Sequence, residues 1–158
     1  MHRPITDAER RVLVQAVKDE AGITINSKPF SLDELTATLA EIVPQEIVDI
    51  ALDRVALFFT YSLRESHVTQ DGSTVWITHD QTGERLFALG ISQEAITGST
   101  QYCALVFLHE LCHVLCPDDD HGELFHSMLN QLLIMTEAAS GERISNDYYG
   151  LPADSLPE

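Results

Sequence analysis

One apolar stretch constrains the fold of this chain more than any other feature. It reads YCALVFLHELCHVL, follows the cap signals Thr97-Gly98-Ser99-Thr100, and is closed by Pro117. These signals predict a long helix from about Gln101 to Leu115. Because this segment is apolar almost all round, we expect the helix to be buried.

Two histidines and a glutamate interrupt this apolar helix. His109 and His113 are four residues apart, so both rings lie on one helical face. Glu110 is rotated by about 100° from His109 and can stand beside a metal ion without binding it. Together they form the pattern H-E-x-x-H, in which the histidines bind zinc and the glutamate acts as general base. Buried imidazoles and carboxylates are costly without a partner, so we predict that this helix binds Zn²⁺.

A catalytic zinc site needs a third protein ligand and one open position. The segment PDDDHGELFH follows the helix directly, and His121 is the favoured ligand because it sits after a turn, just before the next helix. Asp119 lies ten residues after His109, the offset of the third ligand in metzincins, but Cys116 replaces the glycine of their tight turn. His126 and Glu123 are further alternatives.

The chain has three cysteines, and two of them, Cys112 and Cys116, lie one helical turn apart near the histidines. They could close a structural zinc site, although buried free cysteines acting as small apolar side chains are favoured. An odd number of cysteines argues against a disulfide framework. The N-terminal segment MHRPITDAERR has no apolar core of a signal peptide, so we expect a cytoplasmic protein.

The N-terminal third predicts three helices. The first is capped by Thr6 or Asp7, has an apolar face of Val12, Leu13, Ala16 and Val17, and ends at Gly22. The second begins near Leu32, after the capping-box pattern at residues 31–34. The third has Pro44 in its first turn and runs to about Arg54.

The middle third is rich in β-forming residues. Strands are predicted at residues 55–63, 74–78 and 86–91, with turns at Asp71-Gly72 and Thr82-Gly83. A last helix runs from about Gly122 to Ala139, with inward residues Leu124, Phe125, Met128, Leu129, Leu132 and Leu133. We therefore predict an α+β fold: N-terminal helices, a small and mainly antiparallel sheet, a buried helix that carries the site, and a following C-terminal helix. Residues 1–140 form one domain, and residues 141–158 form a tail.

The net charge and the lengths of the apolar runs argue against nucleic acid and membranes as partners. Nine Lys and Arg stand against 25 Asp and Glu, for a formal net charge of −16. A basic face for nucleic acid is hard to build from this composition. No apolar run approaches the roughly 18 residues that span a membrane. We expect neither nucleic acid nor membrane as a partner, and the sequence does not give the oligomeric state.

The segment HELCHVLCPDDDHGELF resembles the SprT-like and WLM-like minimal zincins. Gly90-Ile91-Ser92 matches the strand end of those families, His109, Glu110 and His113 match their metal motif, and residues 121–125 match their His-Gly-x-x-Phe element. The resemblance covers about 40 residues, from Gly90 to Met128. The chain has neither a four-cysteine zinc ribbon nor a basic DNA-binding surface, so a role in DNA repair does not carry over.

The resemblance implies a zincin-like fold and peptide hydrolysis on a peptide or protein substrate. Zinc on His109, His113 and His121 would activate water, and Glu110 would take its proton and pass it to the leaving amine. By analogy with the family, the strand near Leu86–Ile91 would pair with an extended substrate. The alternatives are a non-catalytic zinc-binding or regulatory module on a zincin scaffold, and a hydrolase of non-peptide amides.

Overall fold

Helices and strands alternate in the part of the chain that the structure, a computed structural model, describes: residues 5–24, 37, 39, 41–66, 68–79, 81–119, 121–141 and 144. The six helices and three strands, in chain order, are α1 (Asp7–Ala21), α2 (Gln45–Arg54), β1 (Val55–Tyr61), α3 (Leu63–Ser66), β2 (Gly72–Thr78), β3 (Arg85–Ser92), α4 (Gln93–Thr97), α5 (Thr100–Leu115) and α6 (Glu123–Ser140). The α+β class is therefore as predicted.

The sheet is mixed, and the expectation of a mainly antiparallel sheet was wrong. Its strand order is β1-β3-β2, with β3 parallel to β1 and antiparallel to β2. The hairpin lies between β2 and β3, where the His79 amide donates to the Glu84 carbonyl. The turn at Thr82-Gly83 is thus confirmed. Asp71-Gly72 is no hairpin turn, because Gly72 already pairs with Ile91 of β3.

Each face of the sheet covers its own apolar cluster, as the alternation of side chains along a strand requires. On one face, α1 packs Leu13 and Val17 against Val75, Leu86 and Ala88. On the other face lies the larger core, built from β1, β3 and helices α2, α5 and α6. The strands therefore separate α1 from the helix that carries the H-E-x-x-H motif.

The helix signals of the sequence are confirmed where they rest on caps. Thr6 and Glu9 form a reciprocal capping box at the start of α1, and Gly22 ends it in the left-handed conformation. Pro44 was predicted in the first turn of the next described helix, and it is instead the N-cap residue that precedes α2. Two predicted inward residues are wrong, since Val12 is 56% exposed and Leu124 is 61% exposed. The predicted helix near Leu32 lies outside the described residues.

Helix α5 is buried along nearly its whole length, as predicted. Every residue from Cys103 to Cys112 is buried, and Ser99 caps the helix by accepting from the Tyr102 amide. Of the predicted tail, the described Ile144 is fully buried in the larger core. Within the described ranges, no helix has both the length and the apolar character that crossing a bilayer requires.

Candidate metal centre and its cleft

Three histidine rings converge at the C-terminal end of α5. His109 and His113 come from consecutive turns of that helix, and His121 comes from the loop before α6. One ligand atom from each lies within 4.8 Å of the other two. The Nε2 atoms of His109 and His121 are 3.2 Å apart, close to the roughly 3.3 Å between two nitrogens that share a tetrahedral zinc at about 2.05 Å. These three histidines therefore lie close enough to bind one metal ion.

The ring of Phe125 packs against all three histidine rings on one side of the cluster. Its side chain is fully buried, and its ring centroid lies 5.1 Å from that of His109, 4.7 Å from that of His113 and 4.9 Å from that of His121. His109 is buried, whereas His113 and His121 are half-buried. The cluster is therefore closed by an apolar side chain where it meets Phe125, and it is partly accessible to solvent at His113 and His121.

Burial also determines the protonation state of His109. The pKa of His109 is lowered to about 3, mainly because burial removes the ring from water. Positive charge on His113, His121 or His126 would also lower it. The ring is neutral at pH 7, and a metal ligand must be neutral. One proton can bridge only two of three converging nitrogens, whereas a cation can serve all three. The donor set thus fits a metal ion, and three imidazoles suit zinc.

The loop that carries His121 has an unusual backbone. His121 has a φ of 56°, the left-handed region that few non-glycine residues adopt. Its neighbour Gly122 is required for a different reason: a Cβ atom there would lie 2.1 Å from Oδ1 of Asp119. The other carboxylate oxygen of Asp119 accepts the Phe125 amide at 2.7 Å and so caps α6. Asp119 thereby joins the His121 loop to the helix below it.

The alternative third ligands lie elsewhere. The carboxylate of Asp119 is engaged with α6, and Glu123 is exposed. His126 packs on Phe125, and its Nδ1 atom is buried with no hydrogen-bond partner among the described residues. In the described part of the chain, none of these three side chains and no cysteine joins the three-histidine group.

The cysteines behave as apolar side chains. All three are free and buried. Burial raises the pKa of Cys103 to about 11 and also raises the pKa values of Cys112 and Cys116, with nearby acidic groups acting in the same direction on the latter two. These thiols stay protonated at neutral pH in the metal-free protein, as expected of buried cysteines that pack as small apolar side chains.

Glu110 lies between its own helix and strand β2. Its side chain is 2% exposed, and its Oε1 atom accepts the Thr74 hydroxyl at 2.7 Å. A Cβ atom on Gly72 would lie 2.6 Å from both Cγ and Oε2 of Glu110. Gly72 therefore leaves the space into which this carboxylate fits, and it does not form a turn. Sequence reasoning missed Gly72 and Thr74, because no local pattern shows which strand faces a helix.

A half-buried polar network adjoins Glu110 at the start of β2. The Asp71 carboxylate accepts the Ser92 hydroxyl at 2.7 Å and also the Tyr102 hydroxyl. Tyr102 belongs to α5, so this network ties α5 to the beginning of β2. Nearby, burial and the carboxylates of Glu110 and Asp71 raise the pKa of Tyr61, whose hydroxyl donates to the Gln70 carbonyl at 2.7 Å.

A cleft of about 320 Å³ opens beside the histidines and Glu110. Both His113 and Glu110 line it, together with Gln70, Gly72, Ser73, Thr74, Trp76 and Pro117. Trp76 is 37% exposed, and the Arg85 guanidinium lies 5.5 Å from the centre of its ring. The cleft therefore joins the three-histidine cluster to one side of β2.

The expectation that the Leu86–Ile91 strand offers a pairing edge was wrong. That strand is β3, which is paired on both sides, whereas β2 is an edge of the sheet as described. The Ser92 amide donates to Asp71 and the His79 amide to Glu84, so the odd-numbered residues of β2 bond to β3. The backbone groups of Gly72, Thr74 and Trp76 then point outward, along the cleft.

The chain matches no protein-family model, no curated protein and no solved structure. The resemblance to minimal zincins therefore stays a prediction from the motif residues.

Replacing Asp119 separates its capping role from a role as metal ligand. Asp119→Ala should destabilise the metal-free protein by about 1 kcal/mol, because the Phe125 amide loses its acceptor. Asp119→Asn retains a carbonyl oxygen and should lose much less. Urea unfolding of the metal-free proteins measures both changes. Unchanged metal-free stability in both variants, with equal and large losses of metal affinity, would instead identify Asp119 as a ligand.

Acid should destabilise the metal-free protein through His109. Its folded pKa of about 3 lies below its unfolded value, so the unfolded chain binds more protons between about pH 6.5 and 3. This contribution to stability is complete above that window and is lost as pH falls, by up to about 1.4 kcal/mol per pH unit. Urea unfolding at pH 7 and pH 5 should show a steeper loss for wild type than for His109→Gln. Equal losses would contradict this assignment.

Proposed function

We propose that this protein is a zinc-dependent metallopeptidase of the zincin type. The observation that carries the proposal is one cleft lined by His113 of the three-histidine cluster, by the buried Glu110 and by β2, an edge strand of the sheet that the described residues form. Each part supplies one requirement of metal-assisted peptide hydrolysis. The histidines would hold the metal, Glu110 would move the proton, and β2 would hold the substrate.

His109, His113 and His121 would provide three neutral nitrogen ligands to zinc. A zinc ion held this way supplies Lewis-acid chemistry, since it acidifies a water molecule and polarises a carbonyl group. The half-buried side of the cluster faces the cleft through His113. Three protein ligands leave a tetrahedral ion one position for water or substrate, which distinguishes catalytic zinc sites from closed structural ones.

Glu110 would act as the general base. It follows His109 directly in α5 and lines the same cleft as His113. The carboxylate would accept a proton from the attacking water and return it to the amine as the peptide bond breaks. Glu110 follows His109 directly and precedes His113 by three residues. The helix therefore fixes the relative positions of this carboxylate and the two histidines.

Strand β2 would bind the peptide by main-chain pairing. The outward backbone groups of Gly72, Thr74 and Trp76 offer donors and acceptors at the spacing of a strand. A peptide paired there would run along the cleft past Glu110 and His113. Main-chain recognition suits a substrate in extended form, and the net charge of −16 disfavours nucleic acid as the ligand.

Glu110→Gln tests the proposal. The substitution preserves shape but removes the proton acceptor, so kcat should fall by on the order of 10²–10⁴-fold while zinc remains bound. A library of unstructured decapeptides, incubated with the zinc-loaded protein and read by mass spectrometry, supplies the substrate and the rate. Glu123→Gln is the matched control, because Glu123 is an exposed glutamate at the start of α6. It should retain both activity and zinc.

Full activity in Glu110→Gln would contradict the assignment of the base. Zinc binding without cleavage of any peptide by the wild type would contradict the peptidase proposal and favour a non-catalytic zinc module.

A further inference from the structure

Strand β2 contacts Glu110 so closely that it determines where the carboxylate can lie. The Thr74 hydroxyl is 2.7 Å from Oε1 and 3.2 Å from the main-chain carbonyl of Glu110. A hydroxyl has one proton, and the shorter distance assigns that proton to the carboxylate. A hydrogen bond to a charged acceptor is among the stronger ones in proteins.

Gly72 restricts the other side of the same carboxylate. Both Oε2 and Cγ of Glu110 occupy the space that any side chain at position 72 would fill. Gly72 and Thr74 are two residues apart, so they face α5 from the same side of β2. Thr74 therefore holds Oε1 of Glu110 by a hydrogen bond, and Gly72 leaves the volume into which Oε2 fits.

The strand is fixed to the helix independently of Glu110. Asp71 accepts the Tyr102 hydroxyl from α5 and the Ser92 hydroxyl from the end of β3. Tyr102 and Glu110 lie on the same helix, about two turns apart. The hydrogen bond from Tyr102 to Asp71 therefore sets the spacing between α5 and the start of β2, beside Gly72, without Glu110.

We propose that Gly72 and Thr74 are positioning residues that orient the Glu110 carboxylate toward the metal-facing side of the cleft. The inference rests on the proposed function, because it takes Glu110 to be the proton acceptor. Neither residue would touch the reacting atoms with its side chain. Misplacement of a catalytic group by about 1 Å can cost on the order of 10²-fold in rate, so loss of either restraint should be visible.

Thr74→Val removes the hydroxyl and keeps the shape of the side chain. With the best peptide of the library, kcat should fall by about tenfold or more, while KM and zinc content stay unchanged. Thr74→Ser should stay within about threefold of the wild type, because it restores the donor. Thr78→Val is the matched control: Thr78 lies on the same face of β2 but is exposed. This control should leave kcat unchanged.

Gly72→Ala provides a second and independent substitution. Its Cβ atom would meet a flexible side chain and not backbone, so the thermal midpoint should change little while kcat falls as in Thr74→Val. Equal kcat in wild type, Thr74→Val and Gly72→Ala would overturn the proposal. An equal loss in Thr74→Val and Thr78→Val would also overturn it, because the effect would then belong to the strand in general.

A binding measurement separates this inference from the peptidase proposal. Acetohydroxamate binds a metal as an anion and needs a nearby acceptor for its proton, which Glu110 would provide. Titration of the cobalt-loaded protein, followed by visible absorption, should show affinity about tenfold weaker in Thr74→Val and unchanged in Thr78→Val. If no peptide is cleaved, this titration still decides the matter. Equal acetohydroxamate affinity in wild type and Thr74→Val would overturn the positioning role.

Discussion

The burial of helix α5 is the constraint on which the rest of the structure depends. A helix that is apolar on almost every side must be surrounded, and the sheet and α6 surround it. Its two imidazoles and one carboxylate then sit where unpaired polar groups are costly. Another element of the fold supplies a contact for each of these polar groups. Thr74 of β2 donates to Glu110, and the loop before α6 brings His121 to the two helical histidines.

The loop between α5 and α6 shows how several constraints meet in a few residues. His121 reaches the cluster because it adopts the left-handed conformation, and Gly122 leaves room for the Asp119 carboxylate. That carboxylate caps α6, which in turn places Phe125 beneath all three imidazoles. Asp119, an alternative metal ligand in the sequence analysis, therefore contributes to the site by positioning the start of α6.

Local signals in the sequence predicted the parts of the fold that depend on local physics. Capping residues and the spacing of apolar side chains located α1, α2, α5 and α6, and helical spacing alone grouped His109 with His113. Strand order depends on contacts between distant segments, so the β-rich middle third was recognised but its pairing was not. Gly72 shows the reason: an Asp-Gly pair is typical of a turn, yet here the glycine is needed because Glu110 approaches it from 38 residues away.

The grouping of the three histidines could be predicted because one helix and the short loop that follows it bring them together. His121 was selected from its position before a helix, but the contact with β2 could not be anticipated from any local pattern. The peptide-pairing edge was assigned to the wrong strand for the same reason, since family analogy does not give the strand order of this chain. The assignment of zinc, the domain limits and the cytoplasmic location stay predictions.

The most direct test of the account is the metal content and ligand set of the purified protein, with zinc-edge X-ray absorption on wild type and His121→Ala. We expect one zinc per chain, nitrogen and oxygen ligands only at about 2.0–2.1 Å, and a loss of at least tenfold in zinc affinity in the variant. Sulfur in the first coordination shell with no effect of His121→Ala, or the absence of bound zinc, would contradict it.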